Sequence, residues 1–189
     1  MAEYRIHTSC LRDAVGSLKA GDRVLLTGTI YTARDAAHKR LFELLDSSKP
    51  LPMPLSGSVI YYAGPTPGQQ GMAVGACGPT TASRMNKFAP RLLNLGLTGI
   101  IGKGEMSGEV QQAIITNGAC YFAAVGGAGA LIAKCIKTAE VIAFEDLGCE
   151  SIKRMEVIDL PLTVAMDCHG GNLYKSGREE YCRMSVGSD

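Results

Sequence analysis

Alternating strand-like and helical segments predict an α/β domain with a mostly parallel sheet and one antiparallel element. Three observations carry that prediction. Short apolar runs rich in Val, Ile and aromatic residues alternate with stretches of helical spacing joined by short loops. The 23 glycines recur at the ends of apolar runs, where a chain of this class passes from strand to loop. Two apolar runs, 59–63 and 72–77, flank a Gly/Pro-rich turn, which predicts a hairpin within the sheet.

The elements follow in order. A short helix is expected over Thr8 to Leu18, closed by the turn at Lys19–Asp22. Arg23–Tyr31 has the β-branched content of a strand. Asp35 is placed to cap a helix through Ala36, Ala37, Leu41, Phe42, Leu44 and Leu45. Residues 47–56 carry prolines at 50, 52 and 54 and form a stiff connection. The strand 59–63 and the returning run 72–77 make the expected hairpin. Met85, Phe88, Leu92 and Leu95 then mark a helix that Pro90 kinks or restarts. Strands at 97–102, 120–125 and 141–144 alternate with helices at 109–116 and 130–137, and 157–160 with 162–167 form a late strand pair. Beyond Asn172 the chain turns polar and is read as a loose tail.

Composition narrows the function classes. A chain of 189 residues, 46% apolar, suits one domain with a real core. A formal charge of +1 gives no reason to expect nucleic acid or an anionic membrane as partner. No apolar stretch has the length of a membrane span, and Met1–His7 lacks the apolar centre of a signal peptide, so the expected location is cytoplasmic. The seven cysteines are odd in number, widely spaced and without a C-x-x-C pair, which fits reduced thiols better than disulfides, a zinc site or a cluster.

The stretch Gly78–Met85 concentrates the chemistry. Gly78 and Pro79 force a turn, Thr80 and Thr81 stand where a helix needs a cap, and Arg84 falls in the first turn beyond. Hydroxyls, free N–H groups and a guanidinium there would make an anion site suited to a carboxylate. Arg34 and Lys103 stand at equivalent strand-to-helix junctions, and the C-terminal ends of parallel strands share one lip. Three cations on that lip would hold a small molecule with two carboxylates. Taken singly, each is more often a solvated surface charge. His38 reads as a polar face residue more readily than as a ligand or acid/base group. His169, in the turn 167–172, reads as turn-forming, and Gly126–Gly129 as close packing rather than a dinucleotide loop.

Three motifs in this order, Thr32–Arg40 with its Arg34, Asp35 and His38, Gly78–Met85, and Gly102–Gly104 around Lys103, resemble the class I, iron–sulfur-dependent fumarate hydratases. The resemblance is to their C-terminal domain, or to the separate β subunit of two-subunit members and of L-tartrate dehydratases. It implies a swivelling β/β/α domain, expected over 1–175 with a tail over 176–189. It implies a β subunit of a hydro-lyase that reversibly hydrates fumarate to S-malate, active with an α subunit whose [4Fe-4S] cluster closes the site; no metal ligand comes from this chain. Arg34 and Arg84 match the substrate-carboxylate arginines and Lys103 a substrate-binding lysine, with Thr81 among the substrate-binding positions. Thr80 matches a proposed catalytic acid/base, and His38 has a matching position without a defined role. The implied partners are the α subunit and a small dicarboxylate in a hetero-oligomer, with a homodimer of the isolated chain as another form. Other readings are an L-tartrate dehydratase β subunit, a docking or regulatory subunit with no site of its own, and a stand-alone carboxylate binder.

Overall fold

The protein is described here from a computed structural model covering residues 1–186. Strand β1 (Glu3–His7) leads through a helical stretch at 8–17, centred on α1 (Leu11–Ala14), into β2 (Arg23–Thr32). Helix α2 (Asp35–Asp46) follows, then β3 (Val59–Tyr61), α3 (Ala89–Asn94), β4 (Gly99–Gly102), α4 (Gly108–Asn117) and β5 (Cys120–Ala123). The chain ends with α5 (Gly129–Cys135), β6 (Ile136–Ala143), β7 (Ile152–Met166) and α6 (Leu173–Val186).

Strands β1 to β5 pair in parallel, each with the next. β7 runs antiparallel to β2, β5 and β6. Because β7 joins β5 to β2, the pairings close a circuit β2–β3–β4–β5–β7, with β1 and β6 attached outside it. The mixed α/β class expected from the alternation is therefore the one observed.

Period-two alternation sorts the side chains of the inner strands between two cores. Val59, Tyr61, Ile101, Cys120 and Phe122 face Val24, Leu26 and Ile30 of β2 and Met155 to Val164 of β7. Ile60, Tyr62, Ile100 and Tyr121 face the opposite way, onto Ala37 and Leu41 of α2, Leu92 and Leu93 of α3, and Val110 and Ile114 of α4. The layers are thus strand, strand and helix, with one apolar core between each pair.

Several expectations change. The hairpin does not form: 72–77 has no strand, and the loop instead folds on itself through Thr66 N to Ala76 O (2.9 Å) and Gly75 N to Thr66 O (3.0 Å). Its far end goes to α5, where Cys77 N donates to Gly129 O at 3.0 Å. Val74 and Cys77 still reach the sheet-side core, which explains why the run is apolar without being a strand. The late strand pair is one strand, β7. Pro161 is tolerated because it lies between the stretch that β6 pairs, up to Val157, and the stretch that β5 pairs, from Thr163. Helix α6 runs from Leu173 through the start of the stretch read as a tail, to Val186, and its Tyr174 packs against the helix-side core. Residues 187–189 lie outside the described range. The expected break at Pro90 is a restart, a 3₁₀ turn Ala82–Met85 followed by α3 with proline in its first turn.

Candidate functional site

Three parallel strand ends feed the site. β2 ends at Thr32, two residues before Arg34; β4 ends at Gly102, next to Lys103; and the segment leaving β3 returns at Thr80. The returning segment is fixed by backbone bonds. Thr80 N donates to Tyr62 O at 2.8 Å, Lys103 N to Thr80 O at 3.1 Å and Ala82 N to Lys103 O at 2.9 Å. Thr80, Thr81 and Lys103 are therefore neighbours on adjoining strand extensions, and Thr81 is exposed.

The threonines do not act as caps. Thr81 precedes a 3₁₀ turn of four residues and makes no capping bond with its side chain. The Thr80 hydroxyl donates to Tyr62 O at 2.8 Å, which turns its lone pairs away from that carbonyl. So short a turn has little dipole, and any anion affinity here must come from guanidiniums rather than from a helix end.

Those guanidiniums converge. Arg34 Nη2 lies 3.9 Å, and Arg84 Nη2 3.4 Å, from the same oxygen, Asp35 Oδ2. Arg34 is the N-cap residue of α2, with no capping bond from its side chain, and Asp35 is the first helical residue rather than the expected cap. Arg34 is 18% exposed and Arg84 45%, so one is set into the wall and the other reaches over it. Glu150 approaches from the distant 3₁₀ turn Glu145–Glu150, with Oε1 3.4 Å from Arg34 Nη2. Gly64 leaves room beside them, since a Cβ there would come within 2.8 Å of Arg34 Nη1 and 3.3 Å of Cys149 O.

Lys103 stays out of these ion pairs. Its aliphatic stem lies over Gly126, just beyond β5, so its ammonium stands at the β5 end of the lip and the guanidiniums at the β2–β3 end. Of the glycines after β5, Gly129 serves close packing, since a Cβ on it would come within 3.0 Å of Gly78 N, whereas a Cβ on Gly127 would meet nothing within 4 Å.

His38 lies beneath the cluster, fully buried, with its ring against Tyr62 (5.4 Å, edge-on) and Phe88 (5.3 Å). Its Nδ1 donates to Arg34 O at 2.8 Å, because a carbonyl only accepts. Burial pulls its pKa down to about 4 against the opposing pull of that carbonyl and of Asp35, so the ring is neutral near pH 7. It is not a surface-face residue.

Among the described residues, four buried side-chain polar atoms lack a hydrogen-bond partner: Arg34 Nε, Asp35 Oδ2, His38 Nε2 and Tyr62 Oη. All four belong to this one place. Buried polar atoms without a hydrogen bond are rare and costly, so their clustering marks a site shaped for something other than stability.

His169 keeps the turn role expected of it, with Nε2 2.8 Å from Gly16 O and its own N–H donating to Asp167 at 2.9 Å. No disulfide is seen between cysteines among the described residues. Among the described residues no three His, Cys, Asp or Glu side chains gather as metal ligands, and burial pushes the Cys77 thiol up to about 12. The described residues do not fit an iron–sulfur cluster.

Sequence reasoning missed Glu150 altogether and saw Asp35 only as a cap. A glutamate in a polar run gives no signal of its own, whereas Asp35 directly after Arg34 could have been read as its counter-ion.

Comparison with known proteins shows the family. The chain belongs to the family described as Fumarase C-terminus, whose model matches residues 2–177. It is 39% identical over 179 residues to the putative L(+)-tartrate dehydratase subunit beta of Methanocaldococcus jannaschii, covering 92% of this chain and 91% of that one. It is 37% identical over 166 residues to fumarate hydratase 2 of Leishmania major, covering 87% of this chain and 29% of that protein. With the anaerobic class I fumarate hydratase of Escherichia coli the identity is 38% over 162 residues, covering 85% and 30%. The chain thus spans under a third of those fumarate hydratases and nearly all of the tartrate dehydratase subunit. The relatives are hydro-lyases by name. No helix among the described residues is long and apolar enough to cross a membrane.

Proposed function

We propose that this chain is the β subunit of a two-subunit iron–sulfur hydro-lyase that hydrates fumarate reversibly to S-malate. In this reading it supplies a cationic clamp for the dicarboxylate, and a separate α subunit holds the [4Fe-4S] cluster. The single observation that carries the reading is the convergence of Arg34 and Arg84 on Asp35 Oδ2. Two guanidiniums brought within reach of one carboxylate oxygen are already arranged as a carboxylate receptor. A docking subunit without a site would have no use for that arrangement.

Each residue then has its share of the work. Arg34 and Arg84 bind one substrate carboxylate, and Lys103, farther along the lip, takes the charge at the other end. Fixing both ends holds the double bond in one orientation and offsets the charge that builds on the carboxylate as a proton leaves the adjacent carbon. Thr80 stands at the reacting carbon, with Thr81 beside it. The Thr80 proton is committed to the Tyr62 carbonyl, so the hydroxyl must rotate off that bond before it can exchange a proton with substrate.

The test is co-expression with a cluster-bearing subunit under anaerobic conditions, followed by a hydration assay of wild type and Arg84→Ala. The variant is expected to assemble normally and to lose about 2–5 kcal/mol of transition-state binding, some thirty- to several-thousand-fold in kcat/KM. Substantial retained turnover would refute the clamp.

A second reading, L-tartrate dehydratase, draws support from the end-to-end match to a separate subunit beta of that name. The same clamp would serve a substrate with one more hydroxyl. Comparing malate and tartrate turnover by the assembled complex separates the two.

A further inference from the structure

The turn that precedes β7 is strained, and it is fastened on both sides of Arg34. Phe144 enters it at φ 57°, left-handed backbone that a bulky aromatic residue seldom adopts. Such strain persists only where surrounding contacts enforce it, and it tends to gather where a chain must present a particular group. Several contacts enforce it here. Arg40 pairs with Asp146 and lies over the Phe144 ring at 5.3 Å. Ser151 Oγ and Lys153 Nζ both donate to Gly148 O, at 2.7 and 3.0 Å. The buried hydroxyl of Thr32 donates to Ser151 O at 3.2 Å and accepts from Lys153 N at 3.0 Å, tying the exit of the turn to β2 two residues before Arg34.

The group presented is the Glu150 carboxylate, and its two oxygens divide the task. Oε2 accepts the N–H of Ala36 at 3.0 Å across 114 residues of sequence, supplying the cap that Arg34 does not give to α2. Oε1 lies 3.4 Å from Arg34 Nη2. Both side chains are mostly buried, at 25% and 18% exposure. With Gly64 on one side and Asp35 on another, Glu150 is the third wall of the slot holding the Arg34 guanidinium.

We propose that Glu150 is a positioning residue for Arg34, fixing the guanidinium in the orientation in which it meets a substrate carboxylate. This rests on the clamp reading above and adds to it the residue that sets the clamp's geometry. An arginine stem has wide rotamer freedom, and a substrate meeting an unfixed guanidinium must itself supply the order.

The test uses Glu150→Gln, which keeps an acceptor for the Ala36 N–H and removes the charge, beside Glu150→Ala, which removes both. In the complex with a cluster-bearing subunit, Glu150→Gln is expected to keep the wild-type melting temperature. It should raise KM for the dicarboxylate about tenfold with kcat within about twofold, the signature of lost binding that ground and transition states share. Glu150→Ala should add a loss of thermal stability. In the isolated full-length chain, ¹⁵N relaxation of the Arg34 Nε–Hε group should show lower order in Glu150→Gln than in wild type. Unchanged KM together with unchanged Arg34 order overturns the proposal and assigns Glu150 to capping alone. A wild-type complex with no dicarboxylate turnover overturns the clamp reading instead, and the Arg34 order then decides the Glu150 role by itself.

Discussion

Tyr61 and Tyr62 are consecutive, both fully buried, and differently treated. Tyr61 points into the core between the strand layers, where its hydroxyl donates to Cys77 O at 2.7 Å. Tyr62 points into the core beneath the helices, where its hydroxyl has no partner. The contrast extends to the layers as wholes. All four buried polar atoms without a hydrogen bond among the described residues lie at the helix-side layer, around the first turn of α2, and none lies between the strand layers. The strand–strand core is built for cohesion. The helix-side core is compromised at one spot, which is the spot where two arginines meet a carboxylate.

That comparison can be broken first at its stable side. Phe122, fully buried between the strand layers, should cost about 3–5 kcal/mol as Phe122→Ala, read by chemical denaturation. Arg84→Ala should leave denaturation nearly unchanged while removing most of the turnover. Equal effects of the two on stability would erase the division of labour.

His38 sharpens the comparison through pH. Its folded pKa, near 4, lies below the ordinary value of 6.5, so the folded state resists protonation more than the unfolded chain does. The stabilisation is present above about pH 6.5 and is lost as pH falls towards 4, a loss on the order of 3 kcal/mol. Denaturation midpoints at pH 7 and pH 4.5 should diverge more for wild type than for His38→Asn, which cannot titrate. Identical divergence would mean that His38 is not held neutral.

The smallest expected effect is the most direct. Tyr61→Phe removes a satisfied hydroxyl and strands the Cys77 carbonyl, costing about 1 kcal/mol, whereas Tyr62→Phe removes an unpaired one and should be neutral or slightly stabilising. Matching costs in the two variants would show that Tyr62 Oη is paired in solution.

Much of the fold was legible because burial imposes a period. Strands β2, β4 and β5 and helices α2 and α4 appear close to where apolar spacing puts them. The failures came where apolar content had another cause. The run at 72–77 supplies Val74 and Cys77 to the core from an irregular loop, and Pro161 sits inside a strand at a point where one edge is unpaired. At the site, Arg34, Arg84 and Thr80 could be singled out from their junctions. Glu150 could not, since its meaning depends on a strained turn that brings it across 114 residues to α2.

The amino-acid sequence alone determined the layered α/β plan, the glycines that permit close approach and the basic residues at strand ends, because each follows from local chemistry and from the need to bury one face of every element. Tertiary structure alone decided that Arg34 and Arg84 share one carboxylate, that Lys103 stands apart at the β5 end of the lip, and that a distant glutamate closes the slot. Ion pairs between remote segments form only when closure of the β2–β3–β4–β5–β7 circuit sets the distances between strand ends, and no local pattern encodes those distances.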